Sequence, residues 1–120
     1  MLIAGQWVDS ENGETADILN PANGEVIATT PKATLADVER CVTASRAAFN
    51  NPEWKNIDPA QRGRILNKMA AATYANAKTL AVLESTNNGK TFREALSEIR
   101  FGAWTLEYFA GLADKNEGST

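Results

Sequence analysis

The hydrophobic rhythm of the chain changes near residue 31. Before that point apolar residues come in short runs broken by Gly, Pro and Asn; from residue 34 they recur every three or four positions. The first pattern predicts strands and turns. Leu2 to Val8 gathers bulky residues about Gly5, and "ADILNP" and "EVIATTP" are divided by the turn Asn20-Pro21-Ala22-Asn23-Gly24. Three short strands are expected, over 2–8, 16–19 and 25–30, a set too small for an independent core.

The second pattern predicts helices. Thr34, with Asp37 three residues on, reads as an N-cap, and Val38, Cys41, Val42, Ser45 and Phe49 then share one face. "NNPEWKN" reads as a loop. Asp58-Pro59-Ala60-Gln61 follows with a capping residue, a proline at the first helical position and Gln three residues after the cap. The helix it opens carries Ile65, Leu66, Met69 and Thr73, and is expected to break near Asn76 before Leu80 and Leu83 continue the apolar pattern.

The last helix has two apolar sides. Thr91 and Glu94 form a capping-box pattern, and at about 100° per residue Ala95, Leu96, Ile99, Gly102, Ala103, Leu106, Phe109, Ala110 and Ala113 gather on one broad face. Phe101, Trp104, Tyr108 and Leu112 form a ridge opposite, between seams marked by Arg100 and Glu107 and by Glu98 and Thr105. A helix of this kind is sandwiched between two layers, and the other helices supply one. The ridge is therefore expected to be a binding or oligomer surface, or to face further fold beyond Thr120 and the polar tail "ADKNEGST".

Composition narrows the chemistry. The 120 residues, 43% hydrophobic, suit one modest domain, and 12 basic against 15 acidic residues leave a net charge of -3. That charge provides no footprint for nucleic acid or for an anionic membrane, and neither partner is expected. The absence of histidine excludes a histidine metal site, a Ser-His or Cys-His nucleophile pair and an imidazole acid/base. The one cysteine, Cys41, has no disulfide partner within the chain, which fits a cytoplasmic setting. The N-terminal "MLIAGQWVDSE" has neither the basic start nor the long apolar run of a signal peptide or anchor.

Gly89-Lys90-Thr91 spells the end of a phosphate-binding loop. Such a loop needs a glycine five residues before its Gly-Lys pair and a buried strand before it; here Glu84 holds that position, on a helix. The structural reading is stronger: Asn87, Asn88 and Gly89 end one helix, and Thr91 starts the next. Cys41, between Val38 and Val42, reads as a core residue, Glu94 as a cap and Glu98 as a solvated carboxylate. "RGR", Arg62 to Arg64, reads as an exposed patch. No constellation supports catalysis by these residues, and the residues alone read as an α+β chain.

The order of the pieces adds a resemblance. "LIAGQWVDSENGET", "ILNPANGEVIATTPKATLADVERCVTASRAAF", "DPAQRGRILNKMA", "LESTNNGKTFREALSEI" and "LEYFAGLADK" together resemble the N-terminal part of the NAD(P)-dependent aldehyde dehydrogenase family, over essentially the whole chain. The resemblance implies an α/β fold in which this chain supplies three short strands and helices packing on a Rossmann-like cofactor domain. It makes residues 1–120 the N-terminal part of that domain, with strands and turns over 1–31 and helices over 34–115. It also implies a longer enzyme, dimeric or tetrameric, that oxidises a small aldehyde with NAD or NADP: a cysteine thiolate attacks, hydride passes to the nicotinamide, and a glutamate base assists thioester hydrolysis.

In this family the catalytic and cofactor-contacting positions come after the segment present here, so the resemblance assigns none to this chain, and Cys41 is not the nucleophile. What it does carry over is modest. Ile18 and Leu19, before Asn20-Pro21, and Asn87 correspond to places where relatives bind a structural sodium or potassium ion. Aspartate is common in relatives at the position of Asn87; an amide keeps the oxygen ligand but removes the Coulombic attraction. Phe101 corresponds to the mouth of the aldehyde tunnel in some relatives. The competing reading is a non-catalytic helical interaction module that uses the ridge Phe101, Trp104 and Tyr108 as its partner surface.

Overall fold

The computed structural model describes residues 1–115, 117 and 118; Asn116, Ser119 and Thr120 of the polar tail lie outside the described residues. The chain divides into two compact units, Met1–Asn56 and Ile57–Thr120.

The first unit holds four strands rather than the three expected. The expected strand over 2–8 is a miniature hairpin: β1 (Leu2–Ile3) pairs antiparallel with β2 (Gln6–Trp7), Leu2 opposite Trp7 and Ile3 opposite Gln6. Ala4 and Gly5 between them have φ of 50° and 77°, the pair of left-handed residues that a two-residue hairpin turn of this hand requires. β3 (Thr15–Leu19) and β4 (Val26–Pro31) form a second antiparallel ribbon, whose register shifts between Ile18 and Leu19 as Ile18 faces Ala28 and Leu19 faces Val26. Every residue of that ribbon from Pro21 to Thr30 is exposed.

Two helices complete this unit. α1 (Leu35–Asn50) starts on Thr34 with a reciprocal box: Thr34 Oγ1 accepts from Asp37 N at 3.2 Å, and Asp37 Oδ2 accepts from Thr34 N at 2.9 Å. Asp37 is wholly buried and also accepts from Glu11 N at 3.2 Å and from the Arg40 guanidinium, so one carboxylate ties the loop after β2 to the start of α1. The Thr34 N–H, aided by Glu11 N–H and by Arg40, holds its carboxyl far below the usual carboxylate range against the opposing effect of burial. The Arg40 side chain is 52% exposed, so solvent screens that ion pair and its contribution is small.

The expected face of α1 is not a core. Val38, Val42, Ser45 and Phe49 are exposed, while Cys41 is half-buried beside a 280 Å³ pocket lined by β1 and the middle of the helix. The segment read as a loop contains the one-turn helix α2 (Pro52–Lys55), because Asn51 Oδ1 caps Glu53 N at 2.9 Å and Pro52 is preset for a first helical position.

The described residues of the second unit form three helices: α3 (Pro59–Ala75), α4 (Ala77–Asn88) and α5 (Phe92–Leu112). Asp58 caps α3 through Ala60 N at 2.7 Å, and Asn76 separates α3 from α4 where the break was expected. α3 and α4 both pack on α5. The seam is made of small residues. Gly63, Ala70, Ala77, Ala81, Ala95, Ala103 and Ala110 are buried, whereas the expected core residues Ile65, Met69, Leu83, Gly102 and Phe109 are exposed and Leu66, Leu80, Leu96, Ile99 and Leu106 are half-buried.

The physical reason is the closeness of the helices. A Cβ on Gly63 would lie 2.7 Å from the carbonyl oxygen of Ala110, so backbone meets backbone there and larger side chains are pushed to the flanks.

Candidate functional site

Two features of the second unit answer to the sequence readings, and both are built on α5. The first is the turn that enters it. Gly89, with φ 82°, ends α4 in the left-handed conformation, and its N–H donates to Ser85 O at 2.9 Å. Thr91 then opens α5 with a second capping box: Glu94 N donates to Thr91 Oγ1 at 3.3 Å and Thr91 N to Glu94 Oε2 at 3.2 Å. Ser85 Oγ donates to Lys90 O at 2.7 Å, and Asn88 Oδ1 accepts from Lys90 N at 3.0 Å.

Lys90 is fully engaged. Its ammonium lies 2.9 Å from Glu84 Oε1 and also pairs with Glu98. Glu98 is therefore exposed but ion-paired, where the sequence reading had it merely solvated. The Lys90 hydrogen bond holds the Glu84 carboxyl below its ordinary range, while hydrogen bonds to Glu98 and then Glu84 raise the ammonium. The Thr91 hydroxyl and then its N–H lower Glu94.

A phosphate loop aims backbone N–H groups and a free ammonium at an anion. Here the Gly89 and Lys90 N–H groups are used internally and the ammonium faces two carboxylates, so this turn does not fit a dinucleotide phosphate.

The second feature is the aromatic ridge. Phe101 and Trp104 have ring centroids 5.5 Å apart, Trp104 and Tyr108 5.9 Å, and Tyr108 meets Phe109 edge-on at 5.4 Å and 88°. These rings are between 52% and 65% exposed, so the ridge is as uncovered as its position opposite the packed face implied. Beside it, Tyr74 OH donates to Glu107 Oε2 at 3.3 Å; partial burial and then the Glu107 charge push the phenol up. The ridge offers shape and apolar area, with the Trp104 indole N–H and the Tyr108 hydroxyl as the polar groups of its rings.

The remaining candidates fall in different places. Ile18 and Leu19 lie on β3 of the first unit, at the register shift, and Asn87 is exposed near the end of α4 in the second. Among the described residues no group of three or more His, Cys, Asp or Glu could hold a metal, and no helix is long and apolar enough to cross a membrane.

The aldehyde dehydrogenase family model matches residues 7–120. The chain belongs to the aldehyde dehydrogenase family. It is similar to betaine aldehyde dehydrogenase from Staphylococcus aureus, solved in complex with NAD+, with 39% identity and a TM-score of 0.94 over 98% of this chain and 24% of that one. It is 38% identical to an aldehyde dehydrogenase of Emericella nidulans over 100% of this chain and 24% of the relative. It is also 38% identical to the cytosolic 10-formyltetrahydrofolate dehydrogenase of Xenopus tropicalis, over 100% of this chain and 13% of that protein.

The chain thus spans between about an eighth and a quarter of the length of these relatives. The α/β class expected from the resemblance holds for the family fold, to which this chain contributes two small antiparallel ribbons and its helices.

The twin ion pair of Lys90 was the part that sequence reasoning missed. Glu84, Lys90 and Glu98 are not helically spaced, and only the turn between α4 and α5 brings them together. The signal present was indirect: a lysine directly after a Gly stop, with carboxylates on both flanking helices.

Proposed function

We propose that this chain is the N-terminal segment of an NAD(P)-dependent aldehyde dehydrogenase, part of its cofactor-binding domain, and that the parent oxidises an aldehyde to a carboxylic acid. The observation that carries this reading is the match of 98% of the chain to 24% of an NAD+-binding aldehyde dehydrogenase. The cysteine nucleophile and the glutamate base that the resemblance implies belong to the remainder of the parent chain, as does the dinucleotide site, which the capped turn at Gly89 does not offer. A cytosolic relative supports a cytoplasmic parent, and the uncovered ridge supports a fold continued by the rest of that chain, in a homo-dimer or homo-tetramer.

Two finer readings go with it. A sodium or potassium ion is proposed at the Ile18 and Leu19 carbonyls of the first unit, where the register shift in the ribbon re-aims the backbone, and Asn87 of the second unit is proposed, by itself, as a contact for such an ion. Phe101 is proposed to stand at the substrate entrance. For the interaction-module alternative the exposure of Phe101, Trp104 and Tyr108 is the favouring observation.

One set of measurements separates the two. The parent should reduce NAD+ or NADP+ with an aldehyde while the 120-residue chain alone should not. Turnover by the isolated chain would sink the proposal, and a native polypeptide of 12.9 kDa that unfolds cooperatively would favour the module.

A further inference from the structure

The sequence contains three Asn-Gly pairs, Asn12-Gly13, Asn23-Gly24 and Asn88-Gly89, and the fold gives all three the same local geometry. In each, the asparagine Oδ1 accepts from the backbone N–H two residues on: Glu14 N at 3.0 Å, Glu25 N at 3.1 Å and Lys90 N at 3.0 Å. Each glycine has positive φ. The ring closed by that hydrogen bond contains both the side-chain carbonyl carbon of the asparagine and the glycine nitrogen. These are the two atoms that combine in succinimide formation, and the accepted N–H polarises the carbonyl toward attack.

What separates the three is how firmly the glycine N–H is held, because attack requires it to leave its own acceptor. Gly89 N donates to Ser85 O at 2.9 Å, in a turn clamped by Ser85 Oγ on Lys90 O and by Lys90 between Glu84 and Glu98. Gly13 N donates to Ser10 O at 3.0 Å, in a loop anchored by the buried Ser10 and by Glu11 N on Asp37. Gly24 N donates to Asn20 O at 2.7 Å, but the turn around it hangs at the tip of the β3–β4 ribbon, exposed from Pro21 to Thr30, and its other bonds run only among Asn20, Ala22, Asn23 and Glu25. A ribbon of two strands opens at little cost, so its short bond gives less protection than a longer one in an anchored turn.

We propose that Asn23 is a site of spontaneous backbone-driven modification, at which Gly24 N attacks the Asn23 side-chain amide. The Gly24 nitrogen gives up its proton and forms a bond to Asn23 Cγ; the Cγ–Nδ2 bond breaks and ammonia leaves. Water then opens the succinimide at either carbonyl, giving aspartate or isoaspartate, with no change in oxidation state. The isoaspartate product adds a methylene to the backbone of the turn, removes the Glu25 N–Asn23 Oδ1 bond and loosens the ribbon end at Leu19.

The test incubates the full parent protein at mildly alkaline pH and follows the three peptides by mass spectrometry, with isoaspartyl methyltransferase labelling as the second readout. In the folded protein Asn23 should convert roughly tenfold faster than Asn88, and faster than Asn12, the ratio expected if anchoring adds a tenfold local-opening barrier. In urea the three should convert at similar rates, and Gly24→Ala should suppress conversion at Asn23 alone. Conversion of Asn12 or Asn88 as fast as Asn23 in the folded protein would overturn the inference, as would retention of the Asn23 amide while the urea control converts.

Discussion

Glycine serves opposite ends at two positions of the helical unit. At Gly63 a methyl group would lie 2.7 Å from a backbone oxygen that cannot rotate away, whereas at Gly102, midway along α5, it would meet nothing within 4 Å. Alanine raises helix propensity by up to about 1 kcal/mol at either site, but overpacking costs about 1–3 kcal/mol. Gly63→Ala is therefore expected to destabilise the packing of α3 on α5 by about 1–2 kcal/mol and Gly102→Ala to stabilise α5 by up to about 1 kcal/mol, both read from amide exchange in these helices. Lys90 allows a second test at this scale. Glu84 is held low by Lys90, so its contribution is present above the ordinary carboxylate pKa and is lost as pH falls through the lowered value. Lys90 is held high by Glu98 and Glu84, so its contribution is present below the ordinary lysine pKa and is lost as pH climbs through the raised value. The pair operates across neutral pH and fails at both extremes. Lys90→Met should lower the thermal midpoint slightly at neutral pH and flatten the acid limb of a stability profile; an unchanged acid limb would show that the pair contributes nothing.

The helices owe their starting points to single side chains. Thr34 and Thr91 each close a reciprocal box, and Asp58 caps α3 ahead of Pro59. Thr91→Ala is expected to cost about 1 kcal/mol and to raise amide exchange at Ala95 and its neighbours in the first turn of α5. Thr34→Ala should cost more, because its hydroxyl also donates to the buried Asp37 that ties down the loop at Glu11. These signals were legible in the sequence since a cap and its partners lie within three residues of one another. The break at Asn76 and the stop at Gly89 were legible for the same reason. The β1–β2 hairpin and α2 were not. Ala4 gives no sign that it will take positive φ, and a four-residue helix is too short to show a period.

At the scale of the whole chain the ridge on α5 marks what these residues leave open. If the parent covers it, Trp104 fluorescence should be readily quenched by acrylamide in the 120-residue chain and protected in the parent, with Trp104→Phe variants subtracting the signals of Trp7 and Trp54. Equal quenching in both would remove the ridge from any interdomain or partner surface. In the parent, Asn87→Asp should strengthen any stabilisation by sodium or potassium, because it restores a charge opposite the cation; no change would separate Asn87 from ion binding. The amino-acid sequence by itself determined the caps, the helix stops, the two-sided character of α5 and, through the order of its motifs, the family. Those depend on neighbours along the chain or on the resemblance. Only the tertiary structure decided which apolar residues are core. Ala70, Ala81, Ala95 and Ala103 lie wholly inside while Val42, Phe49 and Met69 face out, because burial is set by how closely α3 and α4 approach α5 and by what layer stands opposite each helix. Neither quantity is written in the period of any one helix.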